Sequence, residues 1–439
     1  MMKRNLLMGC IALLGWQIAA AQDTVKVWTL HDCLSYALEN NIELQQNRNT
    51  YLAGLEDTKE AKAAQLPSLT ASTTQGFTNY PSGNASENNS YTATYGVNAD
   101  MTLYAGGRLR TAVRQQDVQN SIDALTVEES ANDIRVAIVQ AYLQTLYAAE
   151  AVTIAESTAE ISRAQRDRAA EMKEAGSISR ADLAQFESQL ASDRYQVTVA
   201  RTSLDDCRLQ LKQLLELDIA DEMRIASPEI SEEEVLAALA PKTDIYAAAL
   251  EAMPEIRRGE LAVEAAELGV RQAKAGFLPS LSLSAGIGSG YMSGNSYESG
   301  TQIWNRFNEN VGVTLSIPIF SNRSNRTAVN KARLEVANSR LSWQDLRKTL
   351  VRKVETAYLD AVSAQSQYLA ANEKERYAFE SFTLTSEQFA VGMKNIVEML
   401  TAQNEYASAR QEVLQAKYMA LMNIELLNIY QGRDVTSNY

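Results

Sequence analysis

Little in this sequence is placed for covalent chemistry, and what stands out is charge. One histidine, His31, occurs in 439 residues, which argues against a histidine-based triad or a histidine-rich metal centre. Near the start of a helical stretch it reads as an ordinary polar residue. Cys33 and Cys207 lie far apart, and nothing in their spacing demands a disulfide. Gly286-Ile287-Gly288-Ser289-Gly290 comes nearest to a phosphate loop, but it falls in a strand pattern with no helix after it. Carboxylates are plentiful, and along long helices they usually form a solvated face. Two of them stand apart: Asp182 follows Gly176, and Glu398 follows Gly392, at the same interval. Each would sit at the start of a returning helix, where the simplest role is to stabilise unpaired N–H groups by up to about 1 kcal/mol. If copies of the chain gathered, the same groups would form a ring of negative charge. No catalytic residue, cofactor site or metal site emerges, and an enzyme is not the expected class.

The elements that must position these carboxylates are unusually long. Arg108–Ala175 and Ile319–Val391 contain neither glycine nor proline. Unbroken helices of that length would reach roughly 100 Å, whereas a typical helix has about 11–12 residues. Such a helix cannot sit inside one compact core, so neighbouring helices must bury its apolar stripe. Each run closes on a glycine, Gly176 or Gly392, and a second run follows, Ser177–Ser227 or Met393–Gln431. The returning runs carry heptads. Leu183, Leu190, Val197, Leu204 and Leu211 recur in one, beside Phe186, Ala200, Cys207 and Leu214. Met399, Tyr406, Val413, Ala420 and Leu427 recur in the other, beside Ala402, Ala409 and Ala416. A sustained heptad means side-by-side packing, and Cys207 is then a small seam residue rather than a reactive thiol.

The two hairpins belong to an internal repeat. Ala61-Lys62-Ala63-Ala64-Gln65-Leu66-Pro67-Ser68-Leu69 recurs as Ala273-Lys274-Ala275-Gly276-Phe277-Leu278-Pro279-Ser280-Leu281. Arg110–Val113 recurs as Arg326–Val329, and Ala141-Tyr142-Leu143 as Ala357-Tyr358-Leu359. In each unit a short helix leads to a longer one that ends at a proline, Pro67 or Pro279, because proline neither donates nor tolerates a preceding helical turn. These prolines mark the helix–strand junctions. After them the period changes to two. Tyr91, Ala93, Tyr95, Val97, Ala99, Met101 and Leu103 alternate with polar residues, as do Leu281, Leu283, Ala285 and Ile287, and then Val311 through Ile319. Turn-rich loops, Pro81–Ser90 and Met292–Asn308, separate the strands. A sheet with one apolar face and one face of Thr, Ser, Gly and Asn suits a barrel in lipid around a wet interior. Four strands cannot close a barrel, for which about eight is the minimum. Two copies would give eight strands and a filled interior; three would give twelve and an open channel.

The termini and the charge agree with export. Lys3 and Arg4 precede an apolar segment ending in Ala19-Ala20-Ala21, the pattern of a signal peptide cut after Ala21. A retained anchor or lipoprotein processing at Cys10 fits less well, because the segment is short and Cys10 lies too early within it. The formal net charge is −13, which disfavours nucleic acid. The expected organisation is a signal peptide at 1–21, a first repeat at 22–217, a linker at 218–243, a second repeat at 244–431 and a tail at 432–439. The first repeat has strands near 68–80 and 91–104 and a hairpin at 106–217. The second has strands near 280–291 and 310–320 and a hairpin at 323–430. The acidic linker, with a short helix at Glu232–Ala240, is expected to wrap around the outside of the helices.

Over nearly its whole mature length the chain resembles the TolC family of outer-membrane efflux proteins. The residues that carry this are Trp28-Thr29-Leu30, Cys33-Leu34 and Ala37-Leu38-Glu39-Asn40-Asn41, the paired Leu-Pro-Ser-Leu motifs, and Gln388–Gly392 with Ile396-Val397-Glu398-Met399-Leu400. The resemblance implies a mostly α protein with a membrane β part. It would be a homotrimer, with a twelve-stranded β-barrel in the outer-membrane lipid continuing into a twelve-helix coiled-coil α-barrel in the periplasm. It also implies a passive exit duct for efflux or type I secretion, docked on a periplasmic adaptor and an inner-membrane pump of RND, ABC or MFS type. By the same resemblance the hairpin tips close the tunnel. Asp182 falls where a first-hairpin aspartate is linked across the tips, Lys394 where its arginine partner lies, and Phe389 where a tyrosine partner lies. Glu398 falls at a ring position, and Thr401 where a second ring aspartate is found. Gly176, Ser177, Gly392 and Met393 would meet the adaptor. Lysine lacks the bidentate geometry of arginine and Phe389 lacks a hydroxyl, so a looser gate is expected. The competing reading is a secreted periplasmic coiled-coil or adaptor protein without a pore.

Overall fold

The computed structural model describes residues 27–81, 89–218, 220, 222–294 and 297–433. The expected signal peptide, Cys10, most of the first turn-rich loop and the last six residues of the tail lie outside them. The first half of the chain runs through β1 (Val27–Trp28), α1 (Leu30–Asn40), α2 (Ile42–Ala63), β2 (Ser68–Asn79), β3 (Asn89–Ala105), α3 (Arg108–Glu174) and α4 (Arg180–Leu214). The connecting segment holds β4 (Arg224–Ile225) and α5 (Glu232–Val235). The second half runs through α6 (Lys242–Ala252), α7 (Pro254–Ala275), β5 (Ser280–Met292), α8 (Ser299–Asn305), β6 (Asn308–Ser316), α9 (Ser324–Ala390) and α10 (Ile396–Tyr430).

Local chemistry sets these boundaries. Thr29 caps α1 in a reciprocal box with Asp32, and Asn41 ends α1 while its side chain accepts from Leu44 N–H at 3.2 Å to start α2. Pro254 opens α7, where its missing N–H costs nothing. Just beyond α2 and α7, Pro67 and Pro279 stop any further helix, and the strands begin at the next residue, Ser68 and Ser280.

The packing resolves into four columns. The sheet order is β2-β3-β5-β6, every neighbouring pair antiparallel. Nearer the sheet α2 packs on α3, α3 on α7, and α7 on α9; nearer the tips α4 packs on α3, α3 on α10, and α10 on α9. One column is therefore β2, α2 and α4, the next β3 and α3, the third β5, α7 and α10, and the last β6 and α9. The two 67-residue helices α3 and α9 are continuous, while the other two columns are broken midway.

At that break sits the main core. Trp28, Leu30, Cys33, Ile138, Tyr142, Leu143, Leu211, Val235, Leu414 and Leu421 are buried together, drawing the connecting segment onto the helices. The buried Tyr142 hydroxyl donates to the Ala226 carbonyl at 3.2 Å, and burial pushes its pKa upward. Beside it β1 pairs in parallel with β4, Val27 opposite Arg224 and Trp28 opposite Ile225, a pairing the sequence reading missed. Cys33 and Cys207 are both buried, and no disulfide joins them. Burial also raises the Cys207 thiol pKa, which lowers its thiolate population.

The register gives the sheet two chemically distinct faces. Ser68, Asp100, Ser284 and Gly312 form one row and Thr70, Asn98, Gly286 and Asn310 another, all on the polar face. The intervening row is Leu69, Ala99, Ala285 and Val311. Four sequence expectations need correction. The alternation expected to run through Leu103 breaks at a bulge between Thr102 and Tyr104, so Tyr104 rather than Leu103 lies opposite Leu281. The last strand ends at Ser316 and not near 320, because Pro318 has no N–H for a ladder. The linker helix covers only Glu232–Val235, and the second loop contains the helix α8. Among the described residues no helix is long and apolar enough to cross a membrane.

Candidate gate at the helical tips

Both long helices end by the same device. Gly176 and Gly392 each have φ of 75°, the left-handed region. Ser177 N–H reaches Met172 C=O at 2.8 Å, and Met393 N–H reaches Gln388 C=O at 2.9 Å. These bonds satisfy carbonyls that the helix end would leave open, and glycine adopts that conformation without a Cβ penalty. A cap follows at once. Ser179 caps α4 and Asn395 caps α10, with Asp182 and Glu398 as the reciprocal partners. Asp182 accepts from Ser179 N–H at 3.0 Å and from its hydroxyl at 2.8 Å. Glu398 accepts from Asn395 N–H at 3.1 Å. The simple helix-start role is thus present in both tips, and both carboxylates belong to half-buried residues.

Charge at the second tip is locally compensated. Lys394, in the tip turn just before the Asn395 cap, donates from Nζ to Glu398 Oε1 in the first turn of α10 at 2.5 Å. That bond, then the Asn395 N–H, holds the Glu398 carboxyl below the usual carboxylate range. Within the chain, therefore, Lys394 is turned to Glu398, and Asp182 to Ser179. Phe389 faces Phe186 edge-on, with ring centroids 5.8 Å apart. Around them Ala169, Ile396 and Met399 are buried, packed by Ile178, Leu183, Phe382 and Leu400. The phenylalanine that lacks the hydroxyl thus joins the two hairpins by packing. Thr401 is exposed. Ser177 is exposed, and the second tip presents Val391 and Met393, both more than two-thirds exposed.

The sequence reading missed a buried polar network above the tips. Ser162 of α3 donates to Asp193 Oδ2 of α4 at 2.5 Å, and Gln403 Nε2 of α10 donates to Ser162 Oγ at 2.6 Å. Gln189 Nε2 donates to Asp193 Oδ1 at 3.0 Å and to Asn404 Oδ1 at 3.2 Å. Asp193 is 7% exposed and Gln403 2%. A signal was available: the seam Phe186, Ala200, Cys207, Leu214 has Asp193 as its one polar member. A polar residue at a seam position commonly sets register. No cluster of metal-binding side chains occurs among the described residues.

A sheet with open edges and a polar face, continued by four helical columns to capped, acidic tips, defines one subunit of a β-barrel channel with a long helical extension. The family model described as outer membrane efflux protein matches twice, over residues 33–216 and 245–430. The chain belongs to the outer membrane efflux protein family, and it is an outer-membrane protein whose helices extend into the periplasm. The pore-free alternative finds no support. Among relatives, the alkaline protease secretion protein AprF of Pseudomonas aeruginosa is 26% identical over 424 residues, covering 92% of this chain and 84% of the relative. The outer membrane protein TolC of Escherichia coli K12 is 22% identical over 430 residues, covering 94% of this chain and 83% of the relative. The crystal structure of the Campylobacter jejuni CmeC outer membrane channel superposes with a TM-score of 0.79 at 20% identity, over 92% of this chain and 85% of that one.

Proposed function

We propose that three copies of this chain form the exit duct of a tripartite efflux or type I secretion system. The observation that carries the reading is the open pair of edges. In the sheet β2 and β6 each have one neighbour, and in the helical layer the columns of α4 and α9 are likewise outermost. A second copy joins its first column to the last column of the one before, a head-to-tail contact that closes into a ring. Three copies supply twelve strands and an open lumen lined by Ser, Thr, Asn and Gly, with the apolar face in lipid.

In this ring Asp182 and Glu398 of every subunit converge at the periplasmic end, with Lys394 moderating Glu398. Phe389 packs the gate and Thr401 lines it without charge. Gly176, Ser177, Gly392 and Met393 form the contact for a periplasmic adaptor, which links the duct to an inner-membrane pump of RND, ABC or MFS type. The domain limits follow the repeat: a signal peptide to residue 21, units at 22–217 and 244–431, and a linker between them. The protein extracted in detergent is expected to have three times the subunit mass and to conduct ions in planar bilayers. A freely water-soluble monomer with no conductance rules the reading out. Crosslinking in the cell envelope, followed by identification of the captured inner-membrane proteins, names the pump.

A further inference from the structure

The outer end of the sheet carries an element that the channel reading leaves unused. β5 runs on to Met292, but β6 begins only at Asn308, opposite Gly288, so the last residues of β5 lack a strand on that side. The helix α8 takes the place. Gln302, 3% exposed, accepts from Met292 N–H at 3.1 Å and donates to Tyr297 C=O at 2.8 Å. An open strand edge is thereby satisfied. The Ser289 hydroxyl donates to the Ile303 carbonyl. Ser289 lies opposite Tyr95, on the same face of β5 as Ile287 and Tyr291, so α8 leans onto the apolar face of the sheet.

Fixed this way, α8 and its flanks turn large side chains outward: Trp304 is 80% exposed, Tyr297 59%, Phe307 50% and Ile303 42%. A clustered display of this kind on a water-facing surface is costly and uncommon. Tryptophan and tyrosine favour the boundary between head groups and acyl chains, where the ring is desolvated while N–H or O–H stays wet. The apolar face below α8 is the lipid-facing side of the barrel, so the patch continues a lipid contact. We propose that α8 is an interfacial anchor, laying Trp304, Tyr297, Phe307 and Ile303 into the outer-leaflet boundary of the membrane. This rests on the outer-membrane channel reading and adds the element that fixes the depth of the barrel.

Trp304 is also a good reporter. Trp28 is buried in the helical core, and the Trp343 indole N–H is bonded to the Ile256 carbonyl on a helix of the extension. The full protein and its Trp304→Leu variant are reconstituted into phosphatidylcholine vesicles containing lipid with a nitroxide near the head group or at mid-chain. The difference in emission between the two proteins isolates Trp304. It is expected to be quenched several-fold more by the shallow nitroxide than by the deep one, and little by iodide in the water. Quenching by iodide alone overturns the proposal and places α8 in solvent. Shielding from both lipid and iodide overturns it too, and assigns the patch to β2 of a neighbouring copy. Failure of both proteins to float with vesicles and conduct overturns the channel reading itself, whereas a conducting channel with unquenched Trp304 sinks only the anchor.

Discussion

At the scale of single residues, the tips show how two roles share one carboxylate. Glu398 caps a helix and, in the proposed ring, also stands at the channel mouth, and its pKa decides when the second role is lost. Its folded value lies below the usual one, chiefly through Lys394. Its contribution to tip stability is therefore complete above the ordinary carboxylate value of about 4.3 and disappears as pH falls through the lowered folded value. Cation preference in bilayers is expected to persist to below about pH 4 and then fall, with a smaller step in Glu398→Gln. Lys394→Ala exposes the full charge of Glu398 and is expected to raise cation conductance at neutral pH. Equal reversal potentials for both variants and the parent, across the pH range, contradict the assigned mouth. Asp193 makes a different point. Its truncation to alanine leaves Ser162 and Gln189 without their buried acceptor, a loss of about 1–3 kcal/mol. Thermal unfolding in detergent should show that loss, and Ser162→Ala/Asp193→Leu/Gln403→Leu together should cost less than the summed single changes. The repeat made Asp182 and Glu398 legible in the sequence. Asp193 was overlooked because the heptad was followed through its apolar members, and burial of a polar seam residue depends on partners from two other helices.

At the scale of elements, length and punctuation were readable and local exceptions were not. Runs free of glycine and proline gave the long helices, and Gly176 and Gly392 gave their turns, because a left-handed residue after a helix has few substitutes. A Cβ at Gly392 would meet nothing within 4 Å, so the cost of Gly392→Ala lies in the backbone alone, about 1–2 kcal/mol. Hydrogen exchange at the second tip is expected to accelerate in Gly392→Ala, less in Gly392→Asn, and most in Gly392→Val. An unchanged exchange rate in Gly392→Val would mean that the tip turn is not held in this conformation. The bulge at Thr102/Tyr104 left no trace in the pattern, since Leu103 and Tyr104 are both apolar and either could continue the alternation. The helix α8 was hidden in a segment of serine, glycine and asparagine, where a seven-residue helix is held to β5 by Gln302 and by the Ser289 hydroxyl.

At the scale of the molecule, the duplication explains why the barrel and the tunnel share one register of columns. Each unit supplies two strands and two full-height columns, so the sheet order and the helix order coincide. The strong negative balance, −13 over the whole sequence, then acts on everything that passes. Reversal potentials in a salt gradient are expected to show cation preference near 0.1 M salt and little of it near 1 M, as the Debye length shrinks from about 10 Å to about 3 Å. Preference unchanged by salt would locate selectivity in a dehydrated constriction instead of the summed field. From patterning alone the oligomer was legible only as a need for closure by two or three copies, because one chain holds both open edges; the number three came from the family resemblance.

The short parallel pair of β1 and β4 has a consequence for how the chain is made. Val27 and Trp28 are made early, yet their partners Arg224 and Ile225 follow only after the whole first hairpin. Until then the N-terminal strand has no ladder to join, and Tyr142 cannot reach Ala226. The latch therefore closes late: β1 and Tyr142 gain these partners only once the linker is present, and the core they share with Leu414 and Leu421 is complete only with the second unit.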